Sequence, residues 1–138
     1  MRRLRVVFDA NVVVSAALLP RSVPRQAFNR ALAEGDILMS LALVTELNDV
    51  LYRDKFDRYV PIGLRIEFLA GFVTVAEWVE VTRPVTVCRD PKDNHILELA
   101  INGGATHVVT GDDDLLALHP FRGVRIVPPL VFLNDSAD

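Results

Sequence analysis

Four carboxylates stand at places in this chain where a solvated acid has little reason to be: Asp9, Glu46, Asp93 and Asp112. Asp9 closes the apolar run Leu4–Phe8. Glu46 flanks an apolar helical stripe, one turn from Leu43 and from Val50. Asp93 lies in the first turn of a helix whose inward face is Ile96, Leu97, Ala100 and Ile101. Asp112 follows the short β-branched run His107–Thr110 at once. In an open α/β sheet, ligands are met just beyond the carboxyl ends of the strands, so all four acids can converge on one edge. Carboxylates brought that close repel one another unless they take up protons or share a cation. An all-oxygen set suits a hard cation, magnesium or manganese. The chemistry that follows is hydrolytic. Water bound to such a metal becomes a nucleophile near neutral pH, and a second metal can stabilise the leaving oxygen of an in-line phosphodiester displacement.

Taken singly, each acid has a simpler role. Asp90, followed by Pro91, is foremost an N-cap. Asp93 alone would complement a helix dipole. Asp112, Asp113 and Asp114 alone would be an acidic turn capping a helix at Leu115. Their common placement favours the site.

Other chemistries lack their residues. His95, His107 and His119 show no zinc-ligand spacing, and Cys88 has no partner thiol. There is no serine–histidine–acid or cysteine–histidine arrangement, and no glycine-rich phosphate loop. A single cysteine precludes an internal disulfide and fits a reducing compartment, so the expected location is cytoplasmic. Arg5 and Asp9 interrupt the N-terminal apolar run, which argues against a signal peptide, and no apolar segment is long enough to span a bilayer. The 15 basic and 18 acidic residues leave a net charge of −3, too negative to hold nucleic acid by general electrostatics. Leaving out the four clustered acids, the remainder carries +1. Thirteen of the basic residues are arginine, the better fork for phosphate. Arg21, Arg25 and Arg89 are the candidate phosphate contacts.

The elements that must position these acids alternate. Leu4–Phe8 reads as a buried strand, Asn11–Leu19 as a helix, and Pro20–Pro24 as a loop. Pro24–Glu34 is an amphipathic helix with Ala27, Phe28, Ala31 and Leu32 inward. Ile37–Met39 is a strand, and Ser40 caps a helix over Leu41–Arg53. Pro61 opens a helix running to about Ala76, carrying Ile62, Ile66, Leu69, Phe72 and Val73. Trp78–Val81 and Val85–Val87 read as short extended pieces. After the helix beginning near Asp93, Gly103-Gly104 is a stop signal. His107–Thr110 and Val124–Val127 are strands, and Pro128-Pro129 leads into a short tail. The 138 residues suffice for one domain, expected over 1–138, and the alternation implies a mostly parallel sheet between helical layers.

The segments VVFDANVVVSA, VTELNDVL, DPKDNHILELAINGGATHVVTGDDDLL and RIVPP resemble a PIN-domain protein, and among these the VapC-like toxins of toxin–antitoxin pairs. The resemblance covers about Arg5 to Val127. It implies a Rossmann-like three-layer α/β fold and a magnesium-dependent endoribonuclease restrained by a cognate antitoxin. It carries the family's acids onto Asp9, Glu46, Asp93 and Asp112. It also makes Asn11, Ser15, Thr110 and Asp114 supporting residues. Ala10 stands where the family commonly has threonine, and His95 is left without a role. An antitoxin is expected to lay an apolar segment near Leu43–Tyr52 and send a basic group towards the acids. The helices Leu41–Arg53 and Ile62–Ala76 offer surfaces for a homodimer. The rival reading is a PIN-like module that binds RNA or protein without cutting it.

Overall fold

The structure is a computed structural model that describes residues 3–135, so the ends of the expected 1–138 domain lie outside the described residues. Its strands are β1 (Leu4–Phe8), β2 (Gly35–Met39), β3 (Glu77–Trp78), β4 (His107–Val109) and β5 (Arg125–Val127). Its helices are α1 (Ala10–Leu18), α2 (Val23–Glu34), α3 (Leu41–Leu51), α4 (Ile62–Val75), α5 (Asn94–Asn102), α6 (Asp113–Leu116) and α7 (Pro129–Asn134). The five strands pair in parallel in the order β3–β2–β1–β4–β5. Val6, Val7, Phe8, Val108 and Val109 are buried, as strands covered on both faces must be.

Chain direction across the sheet reverses after β3. Right-handed crossovers therefore put α1 to α4 on one face and α5 and α6 on the other. The reversal leaves a switch point between β1 and β4, where the register pairs Phe8 with Val109. On the first face, Phe28 of α2 links Phe8 to Phe72 of α4, with ring centroids 5.6 and 5.1 Å apart. Ser22 caps α2 by accepting the Arg25 N–H, and Ser40 caps α3 by accepting that of Leu43. Gly35 is required at the α2–β2 junction, because a Cβ there would lie 2.2 Å from the Leu4 carbonyl oxygen.

Two sequence expectations are corrected and one is refined. Val85–Val87, read as an extended piece, pairs with no strand among the described residues. Its neighbourhood is tied to the outer face of α5 by side chains one turn apart: Asn94 Oδ1 accepts from Cys88 N, Glu98 Oε2 from Val85 N, and Asn102 Oδ1 from Thr82 N and Arg83 N. With those backbone donors satisfied by carboxylate and amide oxygens, the segment does not depend on the sheet. The extended piece that does pair is Glu77–Trp78. Next, Pro128-Pro129 opens α7. Phe132 is fully buried against Phe8 and His107, Arg30 stacks on its ring at 5.0 Å, and Asp135 accepts from Arg125 and contacts buried His107. Last, the buried stripes of α2 and α4 keep Ala27, Phe28, Ala31, Leu69 and Phe72 but are narrower than expected. Leu32, Ile62 and Ile66 are exposed, whereas Arg65 is buried and donates to the Leu51 and Arg53 carbonyls at the end of α3.

The C-terminal helix is thus part of the core. Phe132→Ala is expected to lower unfolding stability by about 3–5 kcal/mol, read by denaturant unfolding; a loss below ~1 kcal/mol would place Phe132 at the surface instead.

Candidate functional site

The β1–β4 register carries one residue further to bring Asp9 beside Thr110. The Asp9 N–H donates to the Val109 carbonyl at 3.0 Å, and the Thr110 hydroxyl donates to Asp9 Oδ2 at 2.8 Å. The same hydroxyl oxygen accepts the Asp112 N–H at 3.0 Å. Thr110 is fully buried and joins the two acids through one oxygen. Asp112 in turn caps α6, its Oδ1 accepting from Asp114 N at 2.8 Å and Leu115 N at 3.4 Å. One Asp112 oxygen is therefore structural, and the other is left for the edge.

Asp93 arrives from the opposite face. Asp90 caps a single 3-10 turn, Pro91–Asp93, by accepting the Lys92 N–H, and α5 continues from it. At its far end α5 closes in a Schellman motif. Ala105 N–H donates to the Ala100 carbonyl, Gly104 N–H points to that of Ile101, and Gly104 takes the left-handed conformation at φ 62°. Arg5 from β1 donates to the Gly103 carbonyl at 2.8 and 3.0 Å and pairs with Glu77. The helix is thus pinned at one end while Asp93 is presented at the other.

The Asp93 carboxylate makes no hydrogen bond among the described residues, not even as a cap. Burial raises its pKa above the ordinary value, and Asp112, Asp9, Asp90 and Glu46 raise it further. Every charged group that shifts it is an acid. Asp9 is also raised, foremost by burial and then by Glu46 and Asp112, against the Thr110 hydrogen bond that favours its charged form. Glu46, on α3, contacts His95 of α5, Oε1 to Nε2 at 2.9 Å.

Glu46 and Asp112 thus act on both Asp9 and Asp93, beside the switch point. Among the described residues, no three acidic, histidine or cysteine side chains form a finished metal cage as they stand. Glu46 has one oxygen, Oε1, engaged by His95, and Asp112 has one engaged as a cap. The donor set still fits a hard cation. Its oxygens are carboxylate, burial and then the neighbouring acids raise the pKa values of Asp9 and Asp93, and the Asp93 carboxylate lacks a hydrogen-bond donor among the described residues.

Of the supporting residues, Asn11 is exposed in the first turn of α1 and Ser15 is half-buried one turn on. Asp114 is exposed, its backbone held by Asp112. The arginines divide. Arg89 and Arg21 are exposed, but α1 carries the chain roughly 13 Å away from Asp9 before Arg21 is reached. Arg25 is a packing residue rather than a free phosphate contact: its Nε donates to the Ala16 carbonyl at 2.7 Å and its guanidinium lies over Phe68. Sequence reasoning missed Asn94, Glu98 and Asn102, whose i, i+4, i+8 spacing was the available signal, and gave no role to His95.

A family model described as "PIN domain" matches residues 5–114. An uncharacterised protein of Methanocaldococcus jannaschii is 28% identical over 118 residues, 84% of this chain and 76% of that one. Among solved structures, VapBC2 from Rickettsia felis bound to a promoter DNA fragment aligns with a TM-score of 0.62 at 12% identity, over 89% of this chain and 97% of that one. A Pyrobaculum aerophilum protein gives 0.62 at 17% identity, covering 95% and 88%. VapC20 of Mycobacterium tuberculosis, titled a sarcin–ricin-loop-cleaving toxin, gives 0.55 at 15%, covering 87% and 98%. At such identities these structures report the fold.

Two outcomes follow for the apo-protein. Thr110→Val leaves Asp9 without its donor and the Asp112 N–H without its acceptor, and should lower stability by about 1–3 kcal/mol in chemical denaturation. Asp93 has a raised folded-state pKa, so the folded chain holds that proton more tightly than the unfolded one. The stability attached to it is present at low pH and lost as pH rises through the raised value. In metal-free buffer at neutral pH, Asp93→Asn should therefore melt above the parent. The difference should close as pH falls below the ordinary value of 3.8. A variant that melts below the parent at neutral pH would mean that Asp93 stabilises the fold.

Proposed function

Because the chain belongs to the PIN-domain family, we propose that it is a divalent-metal-dependent endoribonuclease and the toxin of a toxin–antitoxin pair. The observation that carries this is Asp93: a half-buried carboxylate without a hydrogen bond among the described residues, whose charged neighbours are all acids. Such an arrangement costs stability unless a cation uses it. Asp9, Glu46, Asp93 and Asp112 would hold magnesium or manganese. When bound, the cation would make water a better nucleophile and offset charge building at the phosphodiester.

The chain's own residues have separable roles in this reading. Thr110 holds Asp9 and Asp112 at one spacing through its single oxygen. Asp112 is aimed by the helix it caps, and Asp114 by the same turn. Asn11 and Ser15, one turn apart on α1, would contact the ribose–phosphate backbone as it crosses the edge. Arg89, exposed shortly before Asp93 in the chain, would meet a neighbouring phosphate. RNA is favoured as the substrate by the likeness to the VapC fold, which includes a sarcin–ricin-loop-cleaving toxin. That reading belongs in the cytoplasm, where RNA and a lone reduced cysteine coexist. No helix among the described residues is long and apolar enough to cross a membrane.

The antitoxin is supported by likeness to VapBC complexes. The exposed apolar side chains favour a docking face other than the one expected from sequence. Leu43, Leu47 and Leu51 of α3 are buried in the chain's own core, whereas α4 exposes Ile62, Leu64, Ile66 and Val75. An apolar segment would therefore lie along α4, the surface on which a homodimer would also have to draw.

Magnesium-dependent cleavage of a structured RNA is the test. The purified chain should cut and should stop when the metal is chelated. Asp93→Asn should lose about 100-fold or more of the activity while remaining folded. An Asp93→Asn protein that cuts at the parental rate would remove Asp93 from the site. Metal uptake without any cleavage would favour a binding module. Purification from the native host should also recover a small partner protein; a chain recovered alone, active and harmless, would end the toxin reading and leave the nuclease one.

A further inference from the structure

His95 lies on α5 two residues beyond Asp93, and its Nε2 is 2.9 Å from Oε1 of Glu46 on α3. The two side chains come from different helices, 49 residues apart in sequence. The imidazole is more enclosed than its partner, with side-chain exposures of 20% and 44%. Nδ1 is buried and without a hydrogen-bond partner among the described residues.

This geometry selects a tautomer. A neutral imidazole carries one N–H. A proton on Nδ1 would bury an unsatisfied donor and set two lone pairs against each other at Nε2 and Oε1. A proton on Nε2 donates to the carboxylate and leaves only a bare acceptor inside. Nε2 is therefore the donor.

A glutamate on an exposed helix face ordinarily samples many rotamers, and ordering it costs entropy. Here the ordering contact comes from the helix that also presents Asp93. With Oε1 engaged by His95, Oε2 is the oxygen left to the acids, and Glu46 is among the groups that act on both Asp9 and Asp93.

We propose that His95 is a positioning residue: its Nε2–H holds the Glu46 carboxylate beside the other acids and so sets how tightly the edge takes up a divalent cation. The inference rests on reading the four acids as a cation site. It goes beyond that reading by giving the site a fifth member that joins α3 to α5.

The test is Mn²⁺ affinity of the full chain, measured from the free-ion electron paramagnetic resonance signal during titration. His95→Ala should weaken binding about 10–100-fold, the usual effect of losing a hydrogen bond to a metal-binding carboxylate. His95→Gln keeps an amide N–H near the position of Nε2 and should restore most of the affinity. Glu46→Gln should weaken binding by itself, and adding His95→Ala to it should cost nothing further, because the two act through one carboxylate. Parental affinity in His95→Ala, no rescue by glutamine, or additive losses in the double variant would each overturn the role of His95. A parent chain that takes up no Mn²⁺ would overturn the cation site as well, so the two failures are distinguishable.

Discussion

The Thr110 hydroxyl is the bond on which the acid edge depends. Parallel pairing of β1 with β4 is fixed by Phe8 opposite Val109, and the next residues on each strand leave the ladder at the switch point. There the hydroxyl donates to Asp9 and accepts from the Asp112 backbone. One buried oxygen thus turns a strand register into a spacing between two acids. Its donation to Asp9 also favours the charged carboxylate, against the burial that raises its pKa. A slip of one residue would turn the β1 side chains to the opposite face of the sheet and take Asp9 away from Thr110.

The other pair of acids is set by helices rather than strands. α5 is held at its C-terminal end by Arg5 and along its outer face by Asn94, Glu98 and Asn102. The Arg5 contact crosses 98 residues of sequence, whereas the other three join α5 to the segment just before it, 6 to 20 residues away. α3 is held by buried Arg65 at its C-terminal end and by the Ser40 cap at its start. The edge is therefore a meeting of four elements that are rigid for unrelated reasons. Such rigidity lets like charges stay close at the cost of raised carboxylate pKa values.

Much of this could be read from residues alone. Buried parallel strands are continuous apolar runs, caps and glycine stops are local, and an acid directly after such a run has few ordinary explanations. Asp9 and Asp112, which follow β1 and β4, could be placed at the strand ends for that reason, as could β1 beside β4. What could not be read was decided by partners distant in sequence. Val85–Val87 has strand composition, but α5 supplies its hydrogen bonds. The chain after Pro128-Pro129 looks like a tail because only Phe132 of its short apolar run is fully buried, and its pocket is assembled from β1, β4 and Arg30. Arg25 and Arg65 carry the composition of phosphate ligands, yet their geometry is that of a stack and a helix cap.

At the centre is one physical claim, that the crowding of Asp9, Asp93, Asp112 and Glu46 is relieved by a divalent cation. Proton release on adding Mn²⁺ to the metal-free chain in weakly buffered, mildly acidic solution tests it most directly, because raised carboxylates must give up protons to accept a metal. Saturable uptake accompanied by protons is expected, with fewer protons from Asp93→Asn than from the parent. No uptake, or uptake that moves no protons, would contradict it.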